Sequence, residues 1–181
     1  LPILPLRNTV LFPGVVIPIT VGRDRSIRLI QEVYRGNKTL GVVSQKDGQI
    51  EEPRAEDLNR IGTIATIIRM LRMPDGSTTA IIQGKKRFEV LDMVKLEPYF
   101  TASVKEFEEI RPAKDDKSFH ALVSSLKDLA TDIIKHSPHI PTEAQFALKN
   151  IDSPSFLVNF ISSNMNAEVA EKQKMLEVAD L

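Results

Sequence analysis

The chain opens with LPILPLRNTVLFPGVVIPITVGRDRSIR, residues 1–28, and this stretch decides the expected fold. It places Pro2, Pro5, Pro13 and Pro18 among leucine, isoleucine and valine residues. Because proline fixes φ and lacks an N–H, a long helix cannot run through the stretch. Apolar residues alternate at 4–6 and again at 15–19, so we predict two short strands joined by a turn at Pro13-Gly14.

Length and charge composition limit the classes of protein to which this sequence can belong. The 181 residues are enough to bury a sizeable core. Lysine plus arginine and aspartate plus glutamate both number 24, which gives no overall electrostatic drive toward nucleic acid or an anionic membrane. Residues 1–106 hold 16 basic and 12 acidic side chains, and the remainder holds 8 and 12, a mild asymmetry that names no ligand.

The absence of cysteine excludes disulfides, thiolate zinc sites and cysteine nucleophiles. No apolar run approaches the roughly 20 residues of a membrane span, and the amino terminus lacks the basic region of a signal peptide. The sequence starts without methionine and ends inside an apparent helix. We therefore expect a fragment of a longer protein.

The pattern that follows the opening stretch predicts strands and one short helix. Ile27 to Tyr34 has helical spacing, with Asp24 or Ser26 as the expected cap and Gly36-Asn37 as the end. Strands are predicted at 39–44, 61–73, 78–83, 87–91 and 99–107, with a turn at 74–77 and an interruption at Gly84. Both faces of 61–73 are largely apolar, so we expect both to be covered for most of its length.

The carboxyl-terminal part predicts helices only. A charged segment with Pro112 precedes a helical stripe from Phe119 to Ile134. A capping box at 142–145, a Ser153-Pro154 start and an Asn166 cap predict the helices that follow. Strands first and helices afterwards indicate an α+β fold, with a β-rich lobe at 1–107, a linker at 108–113 and an all-helical lobe at 114–181.

One group of residues predicts a binding surface. Arg23, Asp24, Arg25 and Arg28 lie at the start of the first helix, and Val15 and Val16 supply an apolar edge. A charged rim beside an apolar edge suits the binding of a polypeptide. Helix capping with ordinary surface charge is an open alternative.

Other motifs predict no catalytic or metal site. The phosphate-binding pattern of ATPases is absent, because the only Gly-Lys pair, Gly84-Lys85, lacks the required glycine and hydroxyl residues. Ser124 and Ser125 near Lys127 fit a solvated helix face, and His136 and His139 lack partners for a metal. The basic cluster at 85–87 has only Phe88 beside it for stacking on RNA bases.

Several short motifs are spread in order over nearly the whole chain. They are Leu4-Pro5-Leu6-Arg7-Asn8, Phe12-Pro13, Pro18-Ile19, Val21-Gly22-Arg23, Ser26-Ile27, Gly62-Thr63-Ile64-Ala65, Met73-Pro74-Asp75-Gly76, Gln83-Gly84-Lys85-Lys86-Arg87-Phe88 and Glu171-Lys172-Gln173-Lys174-Met175-Leu176-Glu177. Together these motifs resemble the amino-terminal domain of Lon proteases. The resemblance implies a PUA-like β lobe and a helical lobe that leads toward an ATPase domain.

The resemblance also implies a function. The full protein would be a homo-hexameric, Mg-ATP-dependent serine protease of the cytoplasm, or of the mitochondrial matrix in a eukaryote. This part would be a non-enzymatic domain that binds unfolded or damaged polypeptides for the ATPase and peptidase. It would hold no cofactor and bind neither nucleic acid nor membrane. Two alternatives stay open, an RNA-binding PUA-like module and a purely structural hexamer-assembly domain.

Overall fold

The structure is a computed structural model that describes residues 1–107, 117–136 and 154–178. The linker predicted at 108–113, the capping box at 142–145, the Ser153 cap and His139 lie outside the described residues. Among the residues described, no helix is both long enough and apolar enough to cross a lipid bilayer.

Within these ranges the chain forms six strands and four α-helices, which agrees with a mixed α and β fold. The strands are β1 (Ile3–Leu6), β2 (Val16–Val21), β3 (Thr39–Ser44), β4 (Ile61–Arg72), β5 (Thr78–Lys95) and β6 (Thr101–Glu106). The helices are α1 (Asp24–Arg35), α2 (Lys117–His136), α3 (Pro154–Asn164) and α4 (Val169–Glu177). A 3₁₀ turn occupies Ala55–Asp57.

The sheet has the order β1-β3-β4-β5-β2, and β6 also pairs with β5. β1 runs parallel to β3, whereas the other pairs are antiparallel. The first residues of the chain then meet the start of β6, because the amide of Ile3 donates to the carbonyl of Phe100 at 2.8 Å and the amide of Ala102 donates to that of Leu1 at 2.9 Å. These bonds close β1, β3, β4, β5 and β6 into a ring.

The opening stretch forms both predicted strands, but the two do not pair. The turn at Pro13-Gly14 is present, with Gly14 at φ +79°. β1 joins β3, whereas β2 joins β5 at the opposite end of the strand order. The turn therefore carries the chain across the sheet, and nine residues between the strands leave room for that crossing.

Gly84 does not interrupt β5, contrary to expectation. β5 is one strand of 18 residues, and Gly84 lies where its register with β4 shifts. The amide of Gly84 donates to the carbonyl of Val15 at 2.9 Å. A Cβ at Gly84 would lie 2.4 Å from the carbonyl oxygen of Phe12, so glycine allows the opening stretch to approach the strand closely.

Two predicted helix caps are wrong. α1 begins at Asp24, and Arg23 before it has extended backbone without a capping side chain. Ser26 lies one turn inside the helix and is buried, while Asp24 contributes a favourable charge in the first turn. α4 begins after Glu168, not Asn166. The end of α1 at Gly36 is confirmed.

β4 is covered on both faces over only half its length. Residues 62, 63, 65 and 67 are buried, but Ile68, Leu71 and Met73 are exposed toward the turn at 74–77. The expectation of cover over most of the strand is therefore wrong, because the far half faces water. That half forms a hairpin with the first part of β5, where Thr78 and Ala80 remain buried, and we name this the far hairpin.

The helices share the core of the sheet. One hydrophobic cluster contains Phe12, Leu29 and Leu40 of the β-rich part together with Leu157 of α3 and Leu176 of α4. A second cluster, which includes Phe88 and Phe100, fills the ring. The described helices thus pack on the sheet and not only on each other, while the domain boundary at 108–113 stays a prediction.

Candidate functional site

A cavity of about 540 Å³ lies beside the start of α1, and we name it the α1 cavity. Its residues come from β1, the start of α1, the loop at 52–53 and the segment before β6: Ile3, Pro5, Gly22, Arg23, Asp24, Arg25, Ser26, Leu29, Glu52, Pro53, Tyr99 and Phe100. The structure thus brings three of the predicted site residues together over an apolar floor. Concave sites of this size with a few polar groups are typical of ligand binding.

The structure does not bring Val15 and Val16 to this cavity. Their side chains are only 4% and 5% exposed, and Val16 packs against Ile81. Val16 and Gly22 are separated by the length of β2, roughly 20 Å at about 3.3 Å per residue. The expected apolar edge at these valines is therefore wrong, and buried residues of β1 and α1 supply the apolar lining instead.

Arg23 is held in place by a buried amide. Its Nη2 donates to Oε1 of Gln45 at 3.0 Å, and Gln45 is 1% exposed. Nε2 of Gln45 donates in turn to the carbonyls of Asp47 and Ile50. Burial lowers the pKa of Arg23, and the nearby charge of Arg7 lowers it further. The guanidinium is thus a fixed, partly desolvated cation on the cavity wall.

Arg25 and Glu97 form an ion pair across the mouth of the cavity. Their side chains are 53% and 68% exposed, so the pair adds little to stability. It links the first turn of α1 to the segment before β6. A charged ligand can compete for either side chain, since both face water.

Arg28 lies one turn further along α1, outside the cavity lining. Its Nε donates to Oε1 of Glu32 at 3.0 Å, and the hydroxyl of Tyr99 donates to Oε2 of the same carboxylate at 2.6 Å. These bonds lower the pKa of Glu32, with Tyr99 the larger cause, and the bond to Glu32 raises the pKa of Tyr99. Tyr99, a wall residue of the cavity, is thereby tied to α1.

The Tyr99–Glu32 bond predicts a pH dependence. The lowered pKa of Glu32 contributes stability above its ordinary value near 4.5, which is lost as pH falls through the lowered value. The raised pKa of Tyr99 contributes stability below its ordinary value near 10, which is lost at still higher pH. We expect Tyr99→Phe to raise the pKa of Glu32 toward its ordinary value, measured by carboxyl ¹³C NMR titration.

The control for this titration is Tyr34→Phe, because Tyr34 lies on the same helix as Glu32 and its ring faces Lys38. We expect that variant to leave the titration of Glu32 unchanged. An unchanged Glu32 titration in Tyr99→Phe would show that the hydroxyl does not set the pKa of this carboxyl.

The basic cluster at 85–87 does not form a nucleic-acid surface of the type considered. Phe88 is fully buried and offers no face for a base. Arg87 is buried too, and its Nη2 donates to Oδ1 of Asn159 in α3 at 3.1 Å. Only Lys85 and Lys86 face water, and Lys86 pairs with Glu106.

The serine candidates lie on exposed helix surface, His136 is the last residue of α2, and His139 lies outside the described ranges. Ser124 and Ser125 are exposed on α2, and the Ser125 hydroxyl donates to the carbonyl of Ala121. Both fit the expected solvated helix face. Over 1–107, 117–136 and 154–178, no cluster of three histidine or acidic side chains is placed to hold a metal.

The structure adds residues to the site that the sequence did not single out. Gln45, Glu97 and Tyr99 contact the predicted arginines or α1 from 22 to 72 residues away in the sequence. The spacing of neighbouring residues in the sequence does not indicate contacts over such separations. The tertiary structure reveals them, because it brings the segment before β6 against α1 and the residue after β3 against Arg23.

The sequence of this chain is similar to those of Lon proteases. The family described as ATP-dependent protease La (LON) substrate-binding domain matches residues 1–181. The Lon protease of Flavobacterium johnsoniae is 59% identical over 181 residues, which are 100% of this chain and 22% of that protein. The Lon protease of Cytophaga hutchinsonii is 52% identical over 180 residues, 99% of this chain and 22% of that protein.

Solved structures show the same fold. The N-terminal domain of a Mycobacterium avium complex Lon protease superposes with a TM-score of 0.68 at 22% identity, covering 99% of this chain and 90% of that one. A Lon N-terminal domain protein from Xanthomonas campestris gives 0.66 at 20% identity with the same coverage. The chain spans about a fifth of the length of the curated relatives quoted, 22% in each.

Proposed function

The chain belongs to the family of ATP-dependent protease La (LON) substrate-binding domains, and from this premise we propose that it is a non-catalytic recognition domain for unfolded or damaged polypeptides. The polypeptide would be delivered to the ATPase and peptidase of a longer Lon protease, which would use Mg-ATP and assemble as a homo-hexamer. The family match over the whole chain is the observation that carries the proposal.

The α1 cavity is our candidate for the contact surface. Its apolar floor would accept a side chain that a folded protein hides, and the charges of Arg23, Asp24 and Arg25 surround that floor. A single weak contact of this kind gains affinity when several copies act together, as they would in a hexamer. A PUA-like fold for 1–107 is supported by the ring of strands.

An assembly role is supported by a separate observation on α2. Leu122 and Leu129 are seven residues apart, so they share a helix face, and they are 64% and 51% exposed. Exposed leucines on one face are typical of a surface that another chain covers. This role is compatible with recognition at the α1 cavity, because the two surfaces use different residues.

The recognition proposal predicts selective binding. Reduced and carbamidomethylated α-lactalbumin should bind the 181-residue chain at least about tenfold more tightly than native α-lactalbumin, which is about 1.4 kcal/mol. Fluorescence anisotropy at two salt concentrations measures both affinities. Arg25→Glu and Arg28→Glu should weaken the binding, since each replaces a cation at or beside the cavity.

The matched control is Arg72→Glu, an equal charge change at an exposed position of the far hairpin. It should leave the affinity unchanged. Selective binding that survives both α1 variants would keep the function and move the surface away from the α1 cavity. Equal affinity for the two forms of lactalbumin would overturn the recognition proposal.

A further inference from the structure

The strand β2 has an unpaired edge. Within the described residues it pairs with β5 alone, and it ends the strand order. Because the amide of Gly84 donates to the carbonyl of Val15, the positions bonded to β5 continue at Ile17, Ile19 and Val21. The backbone groups of Val16, Pro18 and Thr20 therefore point away from β5.

A groove follows this edge, and we name it the β2 groove. It has a volume of about 490 Å³ and lies between residues 18–23 and residues 5–9. It meets the α1 cavity, since both are lined by Pro5, Gly22, Arg23 and Ser26. An extended chain that leaves the α1 cavity can thus continue along the free edge of β2.

The edge is suited to pairing at one end only. Thr20 offers both an N–H and a carbonyl, whereas Pro18 offers a carbonyl and no donor. Proline at this position protects the middle of the edge from regular pairing with another sheet. A peptide that pairs with the edge would therefore do so mainly at Thr20, next to Arg23.

The charge of the β2 groove selects its occupant. Arg7 and Arg23 line it, and among its described lining residues none carries a carboxylate. Arg7 is fixed by a bond from its Nε to the carbonyl of Gly48, and Arg23 by its bond to Gln45. Glu51 and Glu52 act on the charge of Arg23 from outside this lining. The groove is thus a cationic wall beside open backbone groups.

We propose that an extended segment of unfolded polypeptide adds as a strand to the free edge of β2, with an acidic side chain placed against Arg7 and Arg23. The proposal rests on the proposed function and deepens it, because it names the backbone and the side chain that are recognised. Strand addition gives affinity through main-chain hydrogen bonds and specificity through side-chain contacts. An unfolded chain offers free main-chain groups along its whole length, whereas a folded chain offers them only at exposed edges and loops.

The test uses fluorescein-labelled peptides of eight residues, made of threonine, valine and serine around one glutamate. A second peptide carries N-methyl groups on alternate backbone amides, and a third has glutamine in place of glutamate. We expect N-methylation to weaken binding to the 181-residue chain by about tenfold or more, and glutamine to weaken it by about three- to tenfold. Affinity that is the same for all three peptides would overturn the proposal.

Three protein variants sharpen the test. Thr20→Pro removes the outward N–H, and Thr20→Val keeps it, so only the proline variant should lose affinity for the unmethylated peptides. Arg7→Gln should weaken the binding of the glutamate peptide and leave the affinity for the glutamine peptide unchanged. If Thr20→Pro fails to fold by circular dichroism, the N-methylated peptide decides the backbone question alone.

The outcomes separate this proposal from the function on which it rests. If unfolded α-lactalbumin binds with full affinity to Thr20→Pro, recognition stands and strand addition is overturned. If unfolded α-lactalbumin does not bind the unaltered chain, the proposed function itself fails. If the chain self-associates and Thr20→Pro abolishes that association, the occupant is a second copy and the proposal is overturned.

Discussion

Leu157→Ala lowers the free energy of unfolding by about 2–5 kcal/mol and leaves one unfolding transition. Leu157 lies in α3, is fully buried, and belongs to the cluster that also contains Leu29 of α1 and Leu40 of β3. Truncation removes apolar contacts and leaves a cavity between helix and sheet. Because the helix and the sheet share this cluster, both should melt together.

Chemical denaturation followed by far-ultraviolet circular dichroism measures this effect. Leu157→Met conserves volume and should cost less than about 1.5 kcal/mol. Leu71→Ala on the far half of β4 is the exposed control, at 46% exposure, and should change stability by no more than about 0.5 kcal/mol. Two separate transitions, with the sheet unaffected by Leu157→Ala, would contradict a common core.

Asn159→Leu lowers the free energy of unfolding by about 2–3 kcal/mol, because it removes a hydrogen bond to a buried charge. Oδ1 of Asn159 accepts from Nη2 of Arg87 at 3.1 Å, and the two residues are 2% and 8% exposed. The bond joins α3 to β5. Leucine keeps the size of the side chain but offers no acceptor to the guanidinium.

Asn159→Asp is the matched control, since it keeps an oxygen at the same place and adds an opposite charge. We expect its stability to lie within about 1 kcal/mol of the unaltered chain. Thermal and denaturant unfolding of both variants measure the difference. Equal stability of the leucine variant and the unaltered chain would show that the Arg87–Asn159 hydrogen bond contributes nothing to the stability of the packing between α3 and β5.

The elements of this fold follow from local patterns. Alternating apolar residues place β2, largely apolar runs place β3 and β4, and the Pro74-Asp75-Gly76-Ser77 turn lies where its chemistry predicts, with Gly76 at φ +89°. These features depend on neighbours in the sequence. They were predictable for that reason.

The arrangement of the elements does not follow from such patterns. Whether β1 pairs with β2 or with β3 depends on where distant apolar faces meet, and the alternation is the same in both cases. Gly84 signalled a break, but its role is to admit the carbonyl of Phe12. A glycine required for close approach and a glycine that ends a strand are identical in sequence.

The candidate site was also predicted only in part, since its charged residues were found from the sequence and its apolar residues were not. A run of charges at a helix start located Arg23, Asp24 and Arg25, which the structure places on one cavity. The apolar partners were misassigned, since Val15 and Val16 are nearest in sequence but are buried in the sheet. The actual lining includes Ile3 of β1 and Phe100 before β6, which meet where the ring of strands closes. These residues are far apart in the sequence, so only the three-dimensional structure brings them together.

The central claim is that unfolded polypeptide binds at the α1 cavity. The most direct measurement is a ¹⁵N–¹H spectrum of the labelled 181-residue chain during titration with reduced, carbamidomethylated α-lactalbumin. We predict saturable shifts of the amides at 22–26, at Glu52 and at 99–100, which line the cavity, with native α-lactalbumin producing none. Binding that shifts other amides and leaves these three segments unchanged would contradict the account.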